Sequence, residues 1–194
     1  MILNTKFSQQ KIYLGSKSPR RKDLLAQLGL EVEILHMDVD EDFPEKLQRE
    51  SIPLYLASEK SKVGLEKIKE NEILITADTI VWLNNRVLNK PSDDLEAAQM
   101  LNYLSGKTHE VITAVCIASK AKVRSIYSVT EVQFKSLREE EIEYYIKNYK
   151  PFDKAGAYGI QEWIGYVGVE SIQGSYTNVV GLPLKELYEE LLAF

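Results

Sequence analysis

The chain has 194 residues, a formal net charge of -5, 44% apolar and 27% charged side chains, and one cysteine, Cys116. That length buries a core without covalent staples, a lone cysteine excludes an internal disulfide, and an acidic balance argues against general binding to a nucleic-acid backbone, which needs a basic face. No apolar run approaches the ~20 residues of a membrane-spanning helix, and Met1 to Gln10 lacks the apolar core of a signal peptide, so the expectation is a cytoplasmic protein with residues 1–10 as an N-terminal tail.

In chain order, the apolar run Ile12 to Leu14 reads as a strand entering the turn Gly15-Ser16-Lys17-Ser18-Pro19-Arg20-Arg21. Lys22 to Leu28 reads as the helix leaving it, with Ser18 as N-cap and Pro19 as first helical residue, where a missing N–H and a fixed φ cost nothing. Gly29 is the helix stop, and Val32 to Leu35 a second strand. The acidic loop Asp38 to Asp42 precedes a helix over Ser51 to Ile68, with Leu54, Ala57, Ser61 and Leu65 on one face. Ile73 to Ala77 is a run, apolar apart from Thr76, of the kind that forms buried central strands; it ends at Asp78-Thr79, and the chain stays apolar through Leu83.

Asn84-Asn85 reads as a tight hairpin turn returning through Val87 and Leu88. Asp93-x-x-Glu96 resembles a capping box opening a helix to Leu104, and Ser136-x-x-Glu139 another opening a helix to Asn148. Between them lie two long strands, Val111 to Ser119 and Val123 to Phe134. A glycine-rich stretch, Asp153 to Gln161, leads to a strand region ending at Ile172, a loop from Gln173 to Asn178, and a terminal helix from Leu184. Early alternation of strands and helices with later antiparallel strands predicts an α/β protein with a mixed sheet.

The opening turn gathers backbone donors, a helix N-terminus, two hydroxyls and up to three cationic side chains, which is the chemistry of a phosphate site. On those residues alone it reads equally as an ordinary capped helix with solvated arginines. It is not a Walker loop, and no serine-nucleophile elbow is present elsewhere. Asp78, a carboxylate at the end of an apolar strand, sits where α/β folds expose their ligand crevice; a turn cap or a lysine partner would explain it structurally. The carboxylates between Asp38 and Asp42 read first as solvated surface, and alternatively one of them joins Asp78 on a divalent ion. Lys60 and Lys90 are surface lysines or anion ligands, with Pro91 fixing the backbone beside Lys90. His36 and His109 lack partners at zinc spacing.

Taken together, Ser16-x-Ser18-Pro19-Arg20-Arg21, Asp40-Glu41, Leu56-Ala57-x-x-Lys60, Ala77-Asp78-Thr79-Ile80-Val81, Lys90-Pro91, Leu104 to His109, Lys154 to Gln161, and Gly174-Ser175-Tyr176 with Val179 to Pro183 stand in the order of a known family. The chain resembles the Maf family of nucleoside triphosphate pyrophosphatases over residues 11–194, read as a single domain. The resemblance implies a mixed, partly antiparallel central sheet flanked by helices, two-lobed with a cleft, in the manner of ITPase-like proteins. It implies hydrolysis of a nucleoside triphosphate to the monophosphate and pyrophosphate with Mg²⁺ or Mn²⁺, no nucleic-acid or membrane partner, and a homodimer; some members are linked to septum formation.

Within the family, the Pro19-Arg20-Arg21 turn, Thr79 and Gly159-Ile160-Gln161 resemble the branch acting on dTTP and UTP. By that resemblance Asp78 is the proton acceptor, and Arg20, Thr79 and Gln161 set specificity. Ser16, Ser18, Arg21, Lys60 and Lys90 hold phosphate, and Glu41 with Asp78 holds metal. The alternatives are a pyrophosphatase for non-canonical purine or 7-methyl-guanosine triphosphates, and a nucleotide-binding division regulator with little turnover. Lys17, Asn89 and Ser61 depart from the usual pattern.

Overall fold

The computed structural model describes residues 2–194. In chain order the elements are α1 (Ile2–Lys6), β1 (Lys11–Leu14), α2 (Pro19–Gln27), β2 (Glu33–Ile34), α3 (Ser51–Leu65), β3 (Glu72–Leu83), β4 (Arg86–Leu88) and α4 (Asp94–Leu104). They continue with β5 (Thr108–Ala118), β6 (Val123–Phe134), α5 (Glu139–Tyr149), a 3-10 turn at Ala155–Ala157, α6 (Trp163–Gly168), β7 (Val169–Gln173), α7 (Tyr176–Val180) and α8 (Leu184–Ala193). The strands pair in the order β2-β1-β3-β5-β6-β7, with β4 on β3. β1 runs parallel to β2 and β3, whereas β3–β4 and β6–β7 are antiparallel, so the sheet is mixed as expected.

The chain divides into two compact units. The first comprises Met1–Asp78, Thr113–Ser128 and Gly181–Phe194; the second comprises Thr79–Ile112 and Val129–Val180. The core of the first is built on Leu14, Leu25, Ile52, Leu74 and Ile75, all buried. α1 contributes Leu3, and Phe7 follows it into the interior, so an apolar pair anchors the polar N-terminal stretch. The second unit packs Leu101, Leu104, Phe134, Tyr145 and Ile164 around Val81 and Leu83.

Several local expectations hold for the anticipated reasons. Asn84 and Asn85 both adopt positive φ, 50° and 58°, as a tight two-residue hairpin turn requires. Asp93 accepts the Glu96 N–H at 2.8 Å and caps α4. Gly29, with φ 76°, ends α2, and Leu30 N–H returns to the Leu25 carbonyl at 3.0 Å.

Others shift. β3 does not stop at Asp78 but continues to Leu83, because the second half of the strand, buried at Ile80 to Leu83, finds its own partner in β4. Ser18 stands at the N-cap of α2 with Pro19 in the first turn, yet its side chain makes no capping bond. The box opening α5 is Arg138 with Glu141, two residues later than expected, because Glu141 Oε2 takes the Arg138 N–H at 2.9 Å while Lys135 and Arg138 compensate its charge. The inward face of α3 is Ile52, Leu56, Ala57, Ser61 and Gly64, with Leu54 and Leu65 only half-buried. Trp163 to Gly168, expected as strand, is helical before β7 begins, and the expected loop to Asn178 contains the start of α7.

Candidate active site

Three elements of the first unit converge on one charged cluster. β1 delivers Gly15, whose N–H donates to the Ile75 carbonyl at 2.8 Å and continues the parallel ladder into the turn. A Cβ at Gly15 would lie 2.5 Å from the Met37 methyl and 2.9 Å from Thr76 Cγ2, so any side chain there would have to displace both. Beyond it, the Ser16 hydroxyl accepts the Ser18 N–H and an Arg21 Nη1 donor, each at 3.2 Å. Lys17, the departure inside the turn, faces out and pairs with Asp38 at 3.2 Å.

Arg21 is the keystone of this turn. Its Nε donates to the Gly181 carbonyl at 3.0 Å and its Nη1 to the Ala77 carbonyl at 2.7 Å, which ties the start of α2 to β3 and to the segment before α8. Gly181 has φ 134°, a backbone state that favours glycine, which explains that residue in the late motif. Burial lowers the Arg21 pKa from its ordinary value, with Arg20 adding to the lowering and Asp78 and Glu41 opposing it. Arg20, one residue earlier on α2, is half-buried.

Asp78 lies mid-strand on β3, 8% exposed. A buried carboxylate needs compensation, and Lys60 from α3 supplies it: Nζ lies 2.6 Å from Asp78 Oδ1. The same ammonium lies 2.8 Å from Glu41 Oε1, so a single cation bridges the two carboxylates. α3 is held in place for this by the Thr76 hydroxyl of β3, which donates to the Ala57 carbonyl at 2.7 Å.

The donor chemistry of this pair suits a divalent ion. Two carboxylates already gathered around one positive charge are hard oxygen ligands, and Mg²⁺ commonly takes one or two of these, with phosphate oxygens and water completing the shell. Among the described residues no group of three or more His, Cys, Asp or Glu forms an all-protein metal cage. Glu41 and Asp78 are therefore the residues that could hold a metal jointly with a phosphorylated ligand.

Thr79, Lys90 and Gln161 belong to the second unit. Thr79 follows Asp78 on β3 and is half-buried; Lys90 and Gln161 are exposed. Asn89, before Lys90, uses its carbonyl to accept the Gly156 N–H at 3.1 Å, so the Lys90-Pro91 connection is pinned to the glycine-rich stretch. His109 is no metal ligand: it is buried, bonded through Nε2 to the Tyr158 hydroxyl at 2.8 Å and set edge-on to Phe134. Burial lowers its pKa to about 4.

Sequence reasoning brought Ser16, Arg21, Glu41, Lys60 and Asp78 to the foreground, and these do come together. It missed the Gly181 carbonyl as the anchor of Arg21, and it missed Tyr145 and Glu162 beside Gln161. The signal for Glu162 was available, since an acid directly follows Gln161 eight residues after the lysine at 154, but the partnership spans a turn that periodicity does not reveal.

The molecule is thus a mixed α/β protein with an arginine-anchored strand–turn–helix and a Lys-bridged carboxylate pair in the same unit. The chain belongs to the family described as Maf-like protein, whose model matches residues 11–194. A relative from Phocaeicola vulgatus bearing the name dTTP/UTP pyrophosphatase is 53% identical over 182 residues, 93% of this chain and 94% of that one. One from Flavobacterium psychrophilum with the same name is 49% identical over 191 residues, 98% of each chain. Among solved structures, a nucleoside-triphosphatase / dITP/XTP pyrophosphatase from Mycobacterium abscessus is similar at 15% identity and a TM-score of 0.44, covering 94% of both chains.

Proposed function

We propose that this protein hydrolyses dTTP and UTP to the monophosphate and pyrophosphate. The observation that carries the reading is the Asp78–Lys60–Glu41 cluster in the same unit as the Ser16–Arg21 turn, in a chain about half identical to relatives named for that activity.

In this reading a water is oriented by the Asp78 carboxylate for attack on the α-phosphorus. The water oxygen bonds to phosphorus, its proton passes to Asp78, and the bridging P–O bond to the β-phosphate breaks with its electron pair leaving on pyrophosphate. General base catalysis supplies typically ~10²–10⁴-fold, against the about 8–23 kcal/mol by which enzymes lower barriers. Most of the acceleration must therefore come from fixed charge around the phosphates. Ser16, Ser18, Arg21, Lys60 and Lys90 serve that purpose, Arg21 also keeping the turn in shape through Ala77 and Gly181. A Mg²⁺ or Mn²⁺ ion held by Glu41 and Asp78 would neutralise charge on the phosphates.

Arg20, Thr79 and Gln161 choose the base. A hydroxyl and an amide offer both donor and acceptor to a pyrimidine edge. One methyl group discriminates weakly in such a pocket, so thymine and uracil are both accepted. The reading places the protein in the cytoplasm, where these triphosphates are made; a homodimer and an effect on septum formation belong to the same proposal.

Hydrolysis in ¹⁸O-labelled water with Mg²⁺ tests the reaction, run on dTTP, UTP, inosine triphosphate and 7-methyl-GTP. The expected result is pyrophosphate release, fastest from dTTP and UTP, with the label in the monophosphate. Label in pyrophosphate or release of orthophosphate would overturn the attack at the α-phosphorus, and a preference for either purine nucleotide would overturn the pyrimidine assignment.

A further inference from the structure

Gln161 sits in a turn closed by the Glu162 N–H donating to the Gly159 carbonyl at 3.0 Å. The side chains beneath that turn are more tightly engaged than a surface turn requires. Tyr145 of α5, fully buried, accepts the Gly159 N–H on its hydroxyl at 3.0 Å and donates its own proton to Glu162 Oε2. The other carboxylate oxygen, Oε1, lies 3.1 Å from Lys154 Nζ, and that ammonium lies 2.7 Å from Asp153 Oδ1. Lys154 is itself buried. Outside the turn, the Tyr166 hydroxyl donates to the Gln161 carbonyl at 2.9 Å.

Two features make this more than core packing. A buried phenol needs one partner, but Tyr145 spends both its acceptor and its donor capacity on the two ends of the same turn. Gly159 meanwhile leaves no room for relaxation: a Cβ there would lie 2.9 Å from the Glu162 carboxyl carbon and 3.1 Å from Lys154 Cε. Burial, reinforced by the bond to Glu162, raises the Tyr145 pKa, so the phenol keeps the proton it donates. The turn is thereby held at Gly159, at Gln161 and at Glu162 by three side chains from outside it, those of Tyr145, Lys154 and Tyr166.

We infer that Tyr145 and Glu162 are positioning residues for base selection: Glu162 bridges the Tyr145 hydroxyl to the Lys154 ammonium, and this bridge sets the turn that presents Gln161 to the base. The inference rests on the reading of Gln161 as a base-reading residue and extends it to groups that do not touch the nucleotide.

The test is steady-state kinetics of the full chain with Mg²⁺ on UTP and inosine triphosphate, comparing wild type with Tyr145→Phe, Glu162→Gln, Glu162→Asp and Gln161→Ala, with a thermal melt of each. Tyr145→Phe and Glu162→Gln are expected to raise KM for UTP by about tenfold, the value of one ordinary hydrogen bond. Both lower the UTP preference toward that of Gln161→Ala, and kcat changes by less than about threefold, as for lost ground-state positioning. A variant combining Tyr145→Phe with Glu162→Gln should be no worse than either single one, because each breaks the same bridge. Glu162→Asp keeps the charge but is one methylene too short to span both partners, so it should behave as Glu162→Gln even if Tyr145→Phe does not fold.

Wild-type KM and preference in the Tyr145 and Glu162 variants, with only the melting temperature lowered, would overturn the inference. If Gln161→Ala shifts the preference while those variants do not, the inference alone fails. An unchanged preference in Gln161→Ala removes the reading of Gln161 and the inference with it.

Discussion

The neighbourhoods of Asp78 and of Gln161 solve opposite problems. Around Asp78 the chain concentrates formal charge: Lys60 is held between two carboxylates, and Arg21 is tied to backbone carbonyls of two separate segments. Around Gln161 the determinants are directional, a hydroxyl and a carboxylate clamping the ends of a turn, with one buried lysine behind them. Charge acts on any triphosphate whatever its base, because Coulombic attraction has no memory of hydrogen-bond pattern. Oriented donors and acceptors discriminate between bases but stabilise a departing pyrophosphate poorly. On the proposed function, the comparison therefore separates turnover from selectivity.

The sharpest way to break the first half of that comparison is Lys60→Met. It leaves Asp78 buried without its ammonium, and breaking a buried pair from one side costs about 3–5 kcal/mol. Urea denaturation should show that loss, and an unchanged midpoint would mean that the cluster is loosely coupled. In the other region, His109 is buried with its Nε2 on the Tyr158 hydroxyl, and burial lowers its pKa to about 4. Because the folded value lies below the unfolded one, its contribution is fully present above about pH 6.5 and is lost as pH falls toward 4. The loss amounts to about 3 kcal/mol at 1.36 kcal/mol per pKa unit. The stability gap between wild type and His109→Phe should move in the variant's favour across that window, and an imidazole NMR titration near 6.5 would refute the assignment.

Smaller effects sharpen the same division. Gly15→Ala pushes a methyl into Met37 and Thr76 at the start of the Ser16–Arg21 turn, and overpacking of this kind costs about 1–3 kcal/mol. It should lower the melting temperature and turnover on every nucleotide alike; a change confined to one base would contradict the separation. Glu141, in the α5 capping box, has its pKa lowered to about 2 by the Arg138 N–H and the Lys135 ammonium. The advantage of wild type over Glu141→Gln should be present above about pH 4.5 and disappear as pH falls toward 2, without any change in base preference.

How far the sequence could be read follows from the range of the interactions. Strand, turn and helix around Ser16 to Arg21 are local in cause, as are the Asn84-Asn85 hairpin and the Asp93 cap, and all were legible. Asp78 was legible because a carboxylate inside Ile73 to Val81 breaks an apolar run. The Asn84-Asn85 hairpin that pairs β3 with β4 was read as well, but not that the strand runs unbroken through Asp78 from Glu72 to Leu83. The shift of the α5 cap from Ser136 to Arg138 arose because Lys135 supplies a second charge to Glu141, outranking the better-known hydroxyl cap. Arg21 reaching Gly181 across 160 residues, and Tyr145 reaching Glu162 across 17, are products of tertiary assembly.

The account is tested most directly by measuring pyrophosphate release from UTP, dTTP and inosine triphosphate with Mg²⁺ for wild type, Asp78→Asn and Gln161→Ala. Asp78→Asn should lower kcat by about 10²–10⁴-fold on all three nucleotides and leave their ranking unchanged, while Gln161→Ala should flatten the ranking and keep most of the turnover. Equal turnover in wild type and Asp78→Asn, or a ranking that changes with Asp78 and not with Gln161, would contradict it.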